Sequence, residues 1–436
     1  MLTAVTLRGN RMEKPITNKE SFPRSPQEAL PLEAIQPRLK ELLETGDTRA
    51  TLAVDLALTQ AVYHGASDVH FEPWTDSLAL RFRIDGILHD IAHLPDAHKA
   101  RITARIKVMA QMVVYQKDQP QDGRIPPDQT SSGYSMRVAT FPTINGEKIV
   151  VRILGTSKQL LELDDLGFGE DLTDSLRLLI RRPQGVILLT GPSSSGKTTT
   201  IFALLRELLR TQQTTTHIVT IEDPVEYRLD RVTQIQINPR TGVTFQNALR
   251  SILRQDPEVI MVGEIRDVET ARMAIQAGLT GHLVISTIHS GTACGVFARL
   301  LDMGIEPYLL ASSITGVLAQ RLARMNCPDC LEVYTPTPDL ISRFGRGTKR
   351  RPYKRGKGCS RCQNIGYRGR TALGEQLLVS QDIASLILTH PTISALQEAA
   401  AAENMLTLFD VGLEAAHQGL TTPEELARIL PPPDIT

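Results

Sequence analysis

The most constraining feature of this 436-residue chain is the apolar run GVILLT at residues 185–190, followed directly by the loop GPSSSGKTTT at residues 191–200. The loop fits the pattern GxxxxGK[ST], and an apolar helical pattern follows it. Backbone N–H groups in such a loop and the N-terminus of the helix favour a phosphate chain. The sequence therefore predicts a strand, a nucleotide-binding loop and a helix.

Within this loop, Lys197 is expected to reach the outer phosphates of the nucleotide, and Thr198 is expected to ligate Mg²⁺. Ser194 is less permissive than glycine, so its backbone angles are expected to be constrained. The predicted nucleotide-binding residues are Gly191, Pro192, Ser193, Ser194, Ser195, Gly196, Lys197, Thr198 and Thr199.

Four short apolar segments alternate with helical or loop segments from residue 183 onward: GVILLT, HIVTIED, VIMVGE and HLVIST. Such alternation predicts an α/β fold with a parallel sheet covered on both faces. Ligands of these sheets bind at the carboxyl ends of the strands. The polar motifs of this chain fall at those ends.

The chain before the loop has a different pattern. Residues 1–50 are polar and interrupted by prolines, which predicts a flexible arm with at most short helices. Residues 51–158 combine helical and strand patterns, including an Asp-Gly turn at Asp85 and Gly86, and predict a small α+β domain. The stretch QKDQPQDGRIPP within it is predicted to be a loop. Residues 159–436 form the predicted nucleotide-binding domain, with a cysteine module at 325–370 and helices at 381–430.

The amino-acid composition limits the cellular locations and the binding partners expected for this chain. Lys plus Arg and Asp plus Glu both number 48, so no overall charge attracts the chain to nucleic acid or to a membrane. The opening residues lack an apolar core of signal-peptide length, and no apolar run is long enough to span a bilayer. The expected location is the cytoplasm, with nucleic acid an unlikely partner.

Acidic residues end two of the predicted strands. Glu222 and Asp223 in TIEDPVEY are able to hold Mg²⁺ or to position a water, although a turn acid before Pro224 is the alternative. Glu264 in VIMVGE lies where a general base orients and deprotonates the water that attacks a terminal phosphate. Its alternative is a surface glutamate at a strand end.

Basic residues follow the same edge. His289 comes just after the strand HLVIST, where it can sense the loss of the terminal phosphate or be an ordinary core histidine. Arg250 and Arg254 lie one helical turn apart, facing either phosphate or a surface ion-pair partner. Arg81 and Arg83, in the small domain, are expected to form salt bridges within that domain.

Four of the five cysteines form two CxxC pairs, Cys327 with Cys330 and Cys359 with Cys362, while Cys294 is left over. Four thiolates are the ligand set of a structural Zn²⁺ site, and redox pairs or free thiols are the alternative. The 28 residues between the pairs include the basic segment 341–358, which carries eight Lys or Arg and no acid. This segment is suited to anionic lipid or nucleic acid, or is a solvated loop.

The motifs GPSSSGKT, TIEDPVEY, VIMVGEIRD and GHLVISTIHS, in this order, resemble the Walker A, Asp box, Walker B and His box of the secretion ATPase superfamily. ASDVHFEP, QDGR and LAQRLAR extend the resemblance to the type II secretion and type IV pilus assembly ATPases. The resemblance covers about residues 50–425.

This resemblance implies a RecA-like P-loop domain preceded by a PAS-like domain, in a cytoplasmic homohexamer that hydrolyses ATP at the inner membrane and works with a platform protein. It assigns Glu222 a role near Mg²⁺, Glu264 the catalytic base, and His289 phosphate sensing. Arg250 and Arg254 match sensing arginines. Arg137 and Arg152 match arginines that the small domain presents to the phosphates; outward-facing strand residues are the alternative.

The expected function is therefore an ATPase motor that assembles a type IV pilus or a type II secretion pseudopilus, using ATP, Mg²⁺ and Zn²⁺. The cysteine module favours assembly over retraction. A DNA-translocating or conjugation-type ATPase is the alternative, although 4% aromatic residues give it little support. A third possible function is a ring of subunits that binds nucleotide without hydrolysing it.

Overall fold

A computed structural model of the chain describes residues 29–44, 50–154, 161–211, 216–342 and 352–430. The N-terminal part is a six-stranded sheet with helices on one face, in the strand order β3-β2-β1-β6-β5-β4. Its elements are α1 (Leu32–Glu44), α2 (Ala50–Tyr63), β1 (Ala66–Pro73), β2 (Ser77–Ile84), β3 (Ile87–Pro95), α3 (Lys99–Met109), β4 (Gln121–Ile125), β5 (Met136–Thr143) and β6 (Gly146–Ile153).

The two faces of this sheet differ in polarity because side chains alternate along each strand. Val69, Phe71 and Phe82 are buried under the helices and belong to one core cluster. The opposite face carries charge: Asp68 on β1 pairs in register with Arg83 on β2 and with Arg152 on β6. Arg137 on β5 is in turn the register partner of Arg152. The small domain thus presents a row of arginines on its free face.

Two segments of this domain differ from the prediction. Residues 32–44, part of the predicted flexible arm, form helix α1, which buries Ile35, Leu39 and Leu43 in the core. These residues lie four apart on one helix face, and burying them stabilises a helix that contains Pro37. The folded domain therefore begins before the predicted boundary at residue 51; residues 1–28 and 45–49 lie outside the described part.

The second difference is QDGRI, predicted within a loop, which forms strand β4 and pairs antiparallel with β5. The polar composition hides this strand because β4 lies at the edge of the sheet, where its exposed side chains need not be apolar.

The second domain contains a seven-stranded sheet in the order β15-β12-β7-β11-β10-β8-β9. The described pairs are parallel except β12 with β15. Its elements are α4 (Glu170–Ile180), β7 (Gly185–Thr190), α5 (Lys197–Thr211), β8 (Ile218–Glu222), β9 (Val232–Gln236), α6 (Phe245–Ile252), β10 (Val259–Ile265), α7 (Val268–Leu279), β11 (Leu283–Ile288), α8 (Ala293–Asp302), α9 (Pro307–Ser313), β12 (Ile314–Asn326), β13 (Leu331–Tyr334), α10 (Pro338–Ser342), β14 (Tyr353–Gly356), β15 (Tyr367–Leu378), α11 (Gln381–Ile387), α12 (Ile393–Ala402), α13 (Leu408–His417) and α14 (Pro423–Ile429).

The four strands predicted from apolar runs are β7, β8, β10 and β11, and they lie side by side in the sheet. Their residues are almost completely buried because helices cover both faces, which explains runs without polar alternation. Their carboxyl ends therefore form one edge. No helix in the described part of the chain is long and apolar enough to cross a membrane.

The packing of α1 generates a test. We expect Leu39→Ala to lower the free energy of unfolding of the small domain by about 2–5 kcal/mol, because the side chain is fully buried. The exposed neighbour Lys40 is the matched control, and Lys40→Ala is expected to change stability by less than about 0.5 kcal/mol. Urea titration of both variants measures this; equal midpoints would contradict the packed helix.

Candidate nucleotide-binding site and tetracysteine centre

The loop between β7 and α5 has the backbone that a phosphate cradle needs. Gly191, Ser194 and Gly196 all have positive φ angles, of 145°, 62° and 89°. The constraint expected at Ser194 is therefore observed, since a left-handed conformation costs a non-glycine residue roughly 1–2 kcal/mol. The two glycines are required for a second reason, which is the closeness of Gln320. A Cβ at Gly191 would lie 2.5 Å from the Gln320 carbonyl oxygen, and a Cβ at Gly196 would lie 2.7 Å from the Gln320 Nε2.

The side chain of Lys197 contacts the backbone of this loop. Its Nζ donates hydrogen bonds to the carbonyl oxygens of Gly191, at 2.8 Å, and Pro192, at 2.9 Å. Burial lowers the pKa of Lys197, the neighbouring Arg321 lowers it further, and Glu264 opposes both. The two hydrogen bonds hold the amine against the backbone of the loop.

Sequence reasoning missed Arg321 and Gln320, both on β12. The Arg321 guanidinium donates to the carbonyl oxygens of Gln320, at 3.0 Å, and Gly291, at 2.9 Å. It is only 8% exposed, and no carboxylate in the described residues lies within ion-pair distance of it. Burial lowers its pKa. The motif LAQRLAR marked this strand, but only the tertiary structure brings it to the loop.

Glu264, at the end of β10, is brought close to His289, with its Oε2 3.9 Å from the histidine Nε2. Its other carboxylate oxygen forms an ion pair with Arg266. The loop carrying His289 is tied to β7, because the Thr190 hydroxyl donates to the Ser290 carbonyl oxygen, at 3.0 Å, and accepts from its N–H, at 2.8 Å. Glu264, His289 and Lys197 therefore share one edge of the sheet.

Glu222 ends β8, next to β10, and its side chain is buried. One carboxylate oxygen accepts hydrogen bonds from the Thr220 hydroxyl, at 2.6 Å, and from Gln234 Nε2, at 3.0 Å. Burial raises the pKa of Glu222. A cation at this position would favour its charged form, so the residue fits a role beside a metal ion. Asp223, in contrast, is exposed.

A cleft of about 500 Å³ lies between the two domains, against the phosphate-binding loop. Its lining includes five arginines and two aspartates, so its net charge is positive. These charged residues are Arg83, Arg152, Arg321, Arg370, Arg428, Asp68 and Asp85. Such a cleft attracts anions.

The small domain faces this cleft with Arg152 and His70. Asp68 holds Arg152 at 2.9 Å and Arg83 at 3.8 Å. His70 is 9% exposed, and neither of its ring nitrogens has a hydrogen-bond partner in the described residues. Burial lowers the pKa of His70, and the nearby Arg83 lowers it further. The sequence pattern gave no signal for His70 as a cleft residue.

Three predicted arginines do not line this cleft. Arg137 is paired with Asp122 at 3.5 Å, beside Arg152 on the sheet. Arg250 is paired with Glu269 at 2.5 Å, the surface ion pair named as its alternative, and Arg254 is exposed. Arg81 forms salt bridges with Glu72 and Asp90 within its domain, as predicted.

The four CxxC cysteines converge, although the two pairs are far apart in sequence. Their sulfur atoms all lie within 4.8 Å of one another, with Cys327–Cys359 at 3.9 Å, Cys330–Cys362 at 3.8 Å and Cys359–Cys362 at 3.7 Å. A tetrahedron with Zn–S bonds of about 2.3 Å has S–S edges of about 3.8 Å. The cluster therefore fits a Zn²⁺ ion. Cys294 is not part of the cluster and is buried elsewhere.

The cysteine centre also contacts the small domain. Gln363, directly after Cys362, lies 3.2 Å from His64 at their side-chain nitrogens, and the Gly369 N–H donates to Asp85 at 3.1 Å. Within the basic segment, residues 353–356 form β14, which pairs with β13. Residues 343–351 lie outside the described part.

A profile of the family described as type II/IV secretion system protein matches residues 44–428. The chain belongs to this family. It is 43% identical to the type II secretion system ATPase E of Vibrio cholerae serotype O1, over 90% of this chain and 78% of that protein. It is 40% identical to the type IV pilus assembly ATPase PilB of Thermus thermophilus, over 89% of this chain and 44% of that protein.

Among solved structures, the pilus retraction motor PilT with bound ADP superposes with a TM-score of 0.60 and 26% identity, covering 87% of this chain and 97% of that one. The family and the mixed α/β fold with a tetracysteine module, both predicted from the sequence, are confirmed. The chain is thus a secretion ATPase of the P-loop class.

The cysteine geometry predicts metal content. We expect purified protein to contain about one Zn²⁺ per chain, because four thiolates close a tetrahedral site. Cys362→Ser should remove most of the metal and lower the thermal midpoint, whereas Cys294→Ser should leave the metal unchanged because that thiol is remote from the cluster. Metal analysis by mass spectrometry measures this; equal zinc in wild type and Cys362→Ser would contradict the site.

Proposed function

We propose that this chain hydrolyses ATP and uses the energy to drive assembly of a type IV pilus or a type II secretion pseudopilus. The observation that carries the proposal is the interdomain cleft, where residues 192–195 of the phosphate-binding loop and Arg321 lie opposite Arg152 of the small domain. Membership of the secretion system family and the relatives' names supply the biological process.

In this proposal the nucleotide's phosphates bind to the backbone N–H groups of residues 193–199, with Lys197 and Arg321 neutralising their charge. The Thr198 hydroxyl and Glu222 would hold Mg²⁺, which supplies further charge neutralisation when bound. Glu264 accepts a proton from a water molecule as the water oxygen attacks the terminal phosphorus. The bond between that phosphorus and the bridging oxygen of ADP then breaks. His289, beside Glu264, responds to the departure of phosphate.

The position of Arg152 suggests how nucleotide binding would move the two domains relative to each other. Asp68 holds the guanidinium in the cleft at 2.9 Å, and a phosphate group can replace that carboxylate as its partner. An arginine supplied by one domain to a phosphate held by the other couples domain closure to the chemical step. Arg137, Arg250 and Arg254 are proposed to join the nucleotide in another domain arrangement or from a neighbouring copy.

The assembled form in this proposal is a homohexamer at the cytoplasmic face of the inner membrane, in contact with a platform protein. The basic segment 341–358, with eight cations and no acid, supports an additional contact with anionic lipid. The tetracysteine cluster supports assembly over retraction, and it would hold structural zinc.

The first test is ATP hydrolysis by the purified chain and two variants. We expect Glu264→Ala to keep nucleotide affinity but to lose about 10²–10⁴-fold in kcat, since it removes the proton acceptor. Lys197→Ala should abolish binding. Glu398→Ala, which alters an exposed carboxylate on α12, is the control and should match wild type. Full turnover by Glu264→Ala would remove this residue from catalysis, and stimulation only by DNA would favour a translocase.

A second test concerns the small domain. We expect Arg152→Ala to lower kcat by at least about a hundredfold with a smaller change in nucleotide affinity, because it removes charge stabilisation during phosphoryl transfer. Arg81→Ala, on the same sheet face but paired with Glu72 and Asp90, is the matched control. Steady-state kinetics with fluorescent-nucleotide binding separates the two effects; wild-type kcat in Arg152→Ala would contradict the coupling.

A further inference from the structure

A second cavity, of about 940 Å³, lies along β15 and shares no lining residue with the nucleotide cleft. β15 is the edge strand of the large sheet. The start of α4 forms one wall of this cavity, and α12 with α13 forms the other. We call this cavity the β15 groove.

The β15 groove combines apolar and acidic surface. Leu378, Leu406 and Leu420 are large apolar side chains exposed by 43%, 62% and 45%. Five carboxylates line the groove, and none of its lining residues is Lys, Arg or His; the acids are Glu170, Asp171, Glu403, Asp410 and Glu414. The Nε2 atom of Gln376 is buried there without a hydrogen-bond partner in the described residues. The groove is therefore suited to a segment that is both apolar and basic.

The chain contains one such segment outside the described residues. Residues 2–11, LTAVTLRGNR, place Leu2, Val5 and Leu7 beside Arg8 and Arg11 without an acid. Residues 343–351, the part of the basic segment outside the described residues, contain one large apolar side chain, that of Phe344. These residues therefore cannot cover three exposed leucines.

Residues 2–11 can reach the β15 groove of their own chain. The carbonyl oxygen of Leu30 lies 2.8 Å from His64 Nε2, and the other ring nitrogen of His64 lies 3.2 Å from Gln363 in the cysteine centre. The cysteine centre adjoins the groove, because the Asn326 N–H donates to the carbonyl oxygen of the groove residue Leu420 at 2.8 Å. Nineteen residue steps from Arg11 to Leu30 span up to about 60 Å when extended.

We propose that residues 2–11 bind in the β15 groove of their own chain. Leu2, Val5 and Leu7 cover the exposed leucines, while Arg8 and Arg11 face the carboxylates of the two walls. A free N-terminal segment would leave the leucines in water, so binding removes apolar surface from both partners. The proposal concerns a surface separate from the nucleotide cleft and does not depend on the proposed function.

The test uses the full chain with the photoreactive amino acid p-benzoylphenylalanine in place of Thr6. After irradiation, mass spectrometry should find Thr6-position cross-links to residues 170–172 or 403–420. Mixing isotopically heavy and light protein before irradiation should give cross-links only within chains of one isotope. Cross-links to other surfaces, or heavy-to-light cross-links, would overturn the proposal, as would cross-links to the groove from a probe placed at Phe344.

Charge reversal on the two walls provides the matched comparison. Glu170→Lys with Glu414→Lys should lower the cross-link yield by about tenfold, because two attractive contacts become repulsive. Asp382→Lys with Glu398→Lys, which changes two exposed acids outside the groove, should leave the yield unchanged. Asp382 lies in the first turn of α11 as Glu170 does in α4, so helix-end effects are matched. Equal yields in the two double variants would overturn the proposal.

Discussion

The arrangement of this ATPase depends on the contact between the phosphate-binding loop and Gln320 of β12. The backbone and side chain of Gln320 lie so close to Gly191 and Gly196 that neither position has room for a Cβ. The Gln320 side chain also accepts a hydrogen bond from Thr200 on α5 at 2.8 Å, and both residues are buried. One polar residue in the sheet thus fixes the loop, the following helix and the adjacent Arg321.

Electrostatic asymmetry across the cleft follows from this arrangement. Arg321 and Lys197 are largely removed from water and have carbonyl oxygens, rather than carboxylates, as hydrogen-bond partners. Burial lowers the pKa of both groups, so an anion that binds beside them restores favourable charge interactions. Asp68 already balances Arg152 and Arg83 on the facing sheet. In the described residues, Lys197 and Arg321 of the large domain therefore lack a carboxylate partner, whereas Arg152 and Arg83 of the small domain share one.

Much of the fold could be predicted from local patterns. The runs GVILLT and VIMVGE became central strands because helices bury both of their faces, a burial that their composition already required. Helix α1 and strand β4 could not be predicted, since each depends on a distant partner. Three apolar residues of α1 form a stripe that the prolines obscured, and β4 carries polar side chains because its pairing supplies backbone hydrogen bonds alone.

The candidate site divides in the same way. The sequence by itself predicted the loop, Lys197, Glu222, Glu264, His289 and the four cysteines as site residues, because each belongs to a motif in which residue type and spacing are typical of a given chemistry. Only the tertiary structure decided that Arg321, Gln320 and His70 join the site, and that Arg250 is paired with Glu269 instead. The physical reason is that β12 and β1 reach the loop through sheet order and domain contact, which depend on long-range packing and leave no local periodicity in the sequence.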